Sequence, residues 1–218
     1  MLLGHFGIGF GAKAIAPKAS LGSMFLASLF VDLVFPTLLL LGVERVTITP
    51  GITKVTPLDF VYYPISHSLL AVLLWAVLVA VVYMYLRHYS RGALVLGLAV
   101  VSHWFLDAIV HRPDLALYPG SGVFVGFGVW SSLPGTLAAE LLIFGIGLGI
   151  YLRTTKPADK IGVYSLGTLV IFLLVLYMGA IFGPPPPGIT ALAWAGEAQW
   201  LFVLWGYWID RHRIVPSE

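Results

Sequence analysis

The chain has 218 residues, 59% of them hydrophobic and 10% charged, with a mean hydropathy of +0.95. This composition argues against a water-soluble globular enzyme and for one polytopic helical membrane domain spanning residues 1–218. A formal net charge of +2 is too small for a nucleic-acid surface, and the lack of cysteine leaves His, Asp and Glu as the only candidates to hold a metal.

Residues 2–16 are apolar but too short to span, which predicts a short re-entrant or interfacial helix. Glycines 4, 7, 9 and 11 permit close packing, and His5 lies near the tip, inside the bundle if the segment re-enters and solvated if it does not. Lys13 and Lys18 follow this apolar stretch rather than precede it, unlike a signal peptide. A first span is predicted over residues 20–43, with Asp32 on the order of 18 Å from either end. No span centre holds an Arg or Lys, so a buried Asp32 must pair with histidine, a metal or a proton.

A second span is predicted from Thr56, where Thr56, Pro57 and Asp59 resemble a capping box, to Tyr85. His67 would lie about 16 Å below that cap, level with Asp32 and His103, with Ser66 and Ser68 as partners that fix the imidazole. Arg87, His88 and Arg91 form a solvated basic turn. The third span, residues 92–111, carries V-S-H-W-F-L-D-A-I-V-H. His103, Asp107 and His111 recur every four residues, drifting about 40° per step, so they stack on one helix face. Leu96 is expected away from that face. Pro113 ends the helix, and Asp114 beyond it is expected to pair with Arg112.

Residues 118–130, rich in glycine and aromatic side chains, read as an interfacial loop over the mouth of a site. A fourth span over 132–152 carries Glu140 about 12 Å below its start, a further carboxylate for the interior. Spans five (161–181) and six (189–209) bring the expected number of crossings to six. Glu197, among Trp194, Trp200, Trp205 and Trp208, is a secondary candidate near the interface. In this topology nine Lys and Arg fall on one side and three on the other, which places both termini in the cytoplasm of a prokaryotic-type membrane.

Together His5, Asp32, His67, His103, Asp107, His111 and Glu140 supply four imidazoles and three carboxylates, more than one four-coordinate ion uses. Asp107, between two histidines, is best placed to bridge two ions, and Asp107 and Glu140 are the candidate catalytic carboxylates. Clustered divalent ions, zinc first among them, activate water and clamp the oxygens of a displacement. The chemistry implied is hydrolysis of a phosphoester, on a membrane lipid or lipid-linked substrate given the depth of the site. The same residues also fit a proton- or ion-handling transporter, or a protein that binds metal without turnover. No internal repeat of the kind common in transporters is seen.

An early His, an acid late in the first segment, Ser66-His67-Ser68 and His103-x-x-x-Asp107 resemble the YdjM-like family of membrane-bound, metal-dependent hydrolases over residues 1–152. Residues 153–218 then form two additional spans outside that core. More distantly, the order of ligands is similar to that of zinc-dependent phospholipase C and the related zinc nucleases. That resemblance implies one ion on Asp32, His67, His103 and Asp107, a second bridged by Asp107 with His5 and the N-terminal backbone, and a third on His111 and Glu140. The chain departs from these patterns in Tyr62-Tyr63-Pro64-Ile65 before Ser66, and in Thr136 where a histidine ligand to the third ion is expected. The departures leave one or two ions as the expectation.

Overall fold

The computed structural model describes residues 1–216. In chain order it forms α1 (Leu3–Ile15), α2 (Leu21–Ser28), α3 (Phe30–Leu40), β1 (Arg45–Ile48), β2 (Leu58–Tyr62), α4 (Pro64–His67), α5 (Leu69–Arg87) and α6 (Ser90–Val110). There follow β3 (Leu115–Ala116), β4 (Phe124–Val125), α7 (Leu133–Thr154), β5 (Lys156–Pro157), α8 (Lys160–Phe182), α9 (Ile189–Glu197), α10 (Trp200–Arg211) and β6 (Arg213–Ile214). The strands form three two-stranded antiparallel ladders. Four helices, α5 to α8, are long and apolar enough to cross a membrane, and the α2–α3 pair, bent by 56°, makes a fifth if counted as one span.

α1 lies within the bundle, where Leu3, His5, Phe6, Phe10 and Lys13 are all buried. It runs parallel to α7, because Gly4 meets Glu140, Gly7 meets Phe144 and Gly11 meets Gly147. The approach depends on missing side chains. A Cβ added at Gly7 would sit 2.6 Å from the Ile143 carbonyl oxygen, and one at Gly147 only 1.9 Å from that of Gly7. Close backbone packing of this kind holds helices together in lipid, where apolar transfer gives no drive. α1 contributes Ala12 to a core with α2, α3, α5 and α6, and Leu3, Phe6 and Phe10 to a second core with α7, α8 and α10. Its N-terminal turn is thereby fixed beside α6.

Two expectations are corrected. The second span does not begin at Thr56, because residues 58–62 form β2, paired to β1 with Val46 opposite Phe60. Leu58 and Phe60 alternate toward the core, as a strand requires, and Asp59 bonds the Arg112 guanidinium at 2.6 Å rather than a helix N–H. Helix resumes at Pro64, breaks at Ser68, whose extended backbone and side chain cap α5 through the Ala71 N–H, and only then runs unbroken. The sixth segment is likewise not one long helix. α9 and α10 are separated at Ala198 and Gln199, where N–H groups bond to the third residue back (Leu201 to Ala198 and Phe202 to Gln199, both 3.0 Å) and tighten the turn.

Candidate metal centre

Each predicted ligand sits at a place where backbone geometry is interrupted or where helices touch. Asp32 lies in the first turn of α3, just past the bend at Leu29. His67 is the last residue of α4, turned inward by the break at Ser68. His103 and Asp107 occupy successive turns of α6, and His5 stands in the buried first turns of α1.

Five of the seven predicted residues converge. His103 Nε2 lies 3.2 Å from Asp107 Oδ2 and 3.6 Å from Asp32 Oδ1, and His67 Nε2 lies 3.7 Å and 3.6 Å from the same two oxygens. His5 stacks flat on His103 with ring centres 3.7 Å apart and reaches Asp107 Oδ1 at 3.1 Å. The α-ammonium of Met1 also donates to that oxygen, at 2.5 Å. Nearly all of these groups are buried. Asp32 is the exception, with 24% of its side chain exposed.

The partners on the far side of each ring decide its tautomer. His103 Nδ1–H donates to the Ser28 carbonyl, the last of α2, at 2.9 Å. Ser66 Oγ–H donates to Glu44 Oε2 at 2.5 Å, so the 2.7 Å contact between Ser66 Oγ and His67 Nδ1 must be a bond that the imidazole donates. His111 Nδ1–H donates to Asp114 Oδ1 at 2.9 Å. In their neutral forms all three rings therefore turn an Nε2 lone pair toward Asp107 Oδ2, at 3.2, 3.7 and 4.0 Å. A lone pair facing a carboxylate oxygen is repulsive unless a metal ion or a proton stands between them, and His103 Nε2 has no hydrogen-bond partner among the described residues.

The spacing suits a metal ion. Bond lengths of 2.0–2.2 Å to nitrogen and oxygen give a tetrahedron with edges of about 3.3–3.6 Å. The four nitrogen–oxygen separations at Asp32, His67, His103 and Asp107 run from 3.2 to 3.7 Å. The ligating atoms of Asp32, His67 and His103 all lie within 4.8 Å of one another, and so do those of His5, His103 and Asp107. His103 has only one free nitrogen, so it can serve one of the two groups and not both.

The remaining two predicted residues are placed differently. His111 is buried but stands farther back, 4.0 Å from Asp107 Oδ2, with its ring centre 4.3 Å from that of Trp130. Glu140 is buried but accepts the Gly4 N–H at 3.2 Å, serving the start of α1 rather than the carboxylate–imidazole cluster. Its depth matches the expectation, while its partner is set by the α1–α7 contact. Thr136 donates to the carbonyls of Val129 and Ser132, so no ligand replaces the histidine missing there. Ser66 partners His67 as expected, whereas Ser68 caps α5 and makes no bond to the imidazole. Glu197 accepts a bond from Thr37 Oγ1 at 2.6 Å, apart from the cluster.

Two residues were not legible as site components. Glu44, 1% exposed, accepts bonds from Ile65 N–H, Ser66 N–H and Ser66 Oγ–H, tying down the turn that presents His67. Asp114 pairs with Arg112 only loosely, at 3.8 Å, and serves His111 and the Tyr63 hydroxyl instead. Comparison with protein-family models, curated proteins and solved structures gave no match to this chain.

Proposed function

We propose that the protein is a membrane-embedded metal-dependent hydrolase acting on phosphoesters of lipid type. The observation that carries this reading is the set of imidazole nitrogens, each ring fixed by an outer partner, gathered 3.2–3.7 Å from the oxygens of two carboxylates. Two nitrogens and two oxygens, with no sulfur, suit zinc or a similar divalent ion. On this reading His67, His103 and Asp107 would hold the principal ion, with Asp32 beside the position left open for water, and His5 offers a weaker second position. α2–α3 and α9–α10 count as two further, interrupted crossings, six in all, with both termini cytoplasmic. Broken helices are tolerated at membrane depth where they line a cavity, which is what Asp32 and His67 do. The reading agrees with the resemblance of Ser66-His67-Ser68 and His103-x-x-x-Asp107 to the YdjM-like hydrolases.

A divalent ion bound there supplies a Lewis acid that makes water nucleophilic near neutral pH. The chain's own part is proton handling and positioning. Asp32, the most exposed of these side chains, faces the cavity and takes a proton from water as the water oxygen bonds to phosphorus. The ester P–O bond breaks, and Asp32 returns that proton to the departing oxygen. Asp107, held by His5 on one oxygen, keeps the other aimed at both His67 and His103. The test is to load purified protein with zinc and assay phosphomonoesters, phosphodiesters and phospholipids. Turnover abolished by chelation and by Asp32→Asn is expected, and a fully metal-loaded protein inert toward every ester would refute the reading.

A further inference from the structure

Two cavities meet at His67. The first, about 400 Å³, is built outside the long helices, from β2, the Tyr62–Tyr63 turn and the β3–β4 loop. Its polar lining comes from Asp59, Asp114, Ser121 and the two tyrosines, and Phe124 adds a ring. The second, about 330 Å³, has Asp32, His67, Asp107 and His111 on one side. Its opposite wall is apolar, formed by Phe35 and Leu39 of α3, Leu176 and Ala180 of α8, and Leu192 and Ala193 of α9. Phe60 and His67 border both spaces.

We propose that the substrate is an amphiphile that lies across both, its apolar chain in the inner chamber and its polar head in the outer, with the ester linkage between them at His67. This rests on the hydrolase reading and goes beyond it by assigning each half of the molecule a place. A small phosphate ester would use the inner chamber alone and gain nothing from its helix-built apolar wall. A purely apolar molecule would cover Asp59 Oδ2 and Asp114 Oδ2, the carboxylate oxygens that the bonds from Arg112, His111 and Tyr63 leave without a donor. No lysine or arginine lines the outer chamber among the described residues, so a head that is itself anionic is disfavoured. The assignment also gives the C-terminal segment a task. α8 and α9 contribute no ligand, yet they form one wall of the chain-binding space, where Ala180 and Ala193 present short side chains.

The experiment uses zinc-loaded full-length protein in nonionic detergent and the alkyl 4-nitrophenyl phosphate diesters from methyl to dodecyl, which report by release of nitrophenol. The wild type should prefer dodecyl over methyl by roughly tenfold or more in kcat/KM, since each buried methylene adds about 0.8 kcal/mol. Ala180→Phe, at an exposed position in the wall, fills the inner chamber. It should lower dodecyl turnover about tenfold or more and leave methyl turnover within about twofold, an asymmetry that misfolding does not produce. Ala193→Leu should act in the same direction from the facing helix. Equal turnover of methyl and dodecyl esters by the wild type, or equal loss of both in the two variants, would overturn the amphiphile assignment and leave the hydrolase standing. No turnover of any ester would overturn the hydrolase reading itself, and the assignment with it.

Discussion

Glu44→Gln probes how the site holds its imidazole. Glu44 accepts bonds from Ile65 N–H at 2.8 Å, Ser66 N–H at 2.9 Å and Ser66 Oγ–H at 2.5 Å. A glutamine keeps one acceptor oxygen and puts a donor in place of the other. If that donor faces Ser66, the serine proton turns toward His67 Nδ1, and the imidazole is driven to the tautomer whose Nε2 carries hydrogen and cannot ligate. The lost charge-assisted bond is worth about 1.5–3 kcal/mol. Loss of such an outer partner weakens metal binding about 10–100-fold, or about 1.4–2.7 kcal/mol. Competition against a chromophoric zinc chelator in detergent measures this for wild type, Glu44→Gln, Ser66→Ala and the double variant. Glu44 reaches the ring only through Ser66, so the double variant should lie within about 0.5 kcal/mol of Ser66→Ala. Fully additive losses, or unchanged zinc affinity in Glu44→Gln with helix content preserved, would refute the relay.

His67→Ala and His103→Ala should each abolish stoichiometric metal, whereas Glu140→Gln should retain it and instead lower the thermal midpoint by loosening the start of α1; metal loss in Glu140→Gln would return that carboxylate to the ligand set. Leu94→Ala, 63% exposed, should leave metal content and stability unchanged, and it replaces the control that sequence alone would choose, because Leu96 is 1% exposed and structural. Gly147→Leu forces a side chain against the Gly7 carbonyl and should cost about 1–3 kcal/mol or more, read as a lower thermal midpoint with weakened zinc retention through displaced His5; wild-type stability there would contradict the close α1–α7 contact.

The His103–Asp107 pair was legible because helix periodicity alone puts residues four apart on one face. The convergence of Asp32 and His67 with them was inferred from depth along unbroken spans, and the residues do meet, but by a different route. Both lie at breaks, Asp32 after the Leu29 bend and His67 before the Ser68 cap, and no depth count along a straight helix contains that information. Glu44 stands just past the first span beside Arg45, where a reading by hydropathy leaves it in water; only the tertiary return of Ile65 and Ser66 makes it a partner. Sequence proximity pairs Asp114 with Arg112, while the fold gives its shorter bonds to His111 and Tyr63. Glu140 is buried as its place in the fourth span implies, and its bond from the Gly4 N–H follows from α1 lying parallel to α7, which glycine spacing permits without dictating the neighbour.

Elemental analysis of the protein purified in detergent, before and after equilibration with zinc, asks most directly whether a cation holds these side chains together. At least one divalent transition metal per chain is predicted, retained through dialysis and lost in Asp107→Asn. A folded wild-type protein that is metal-free as isolated and takes up no zinc would contradict the account at its root.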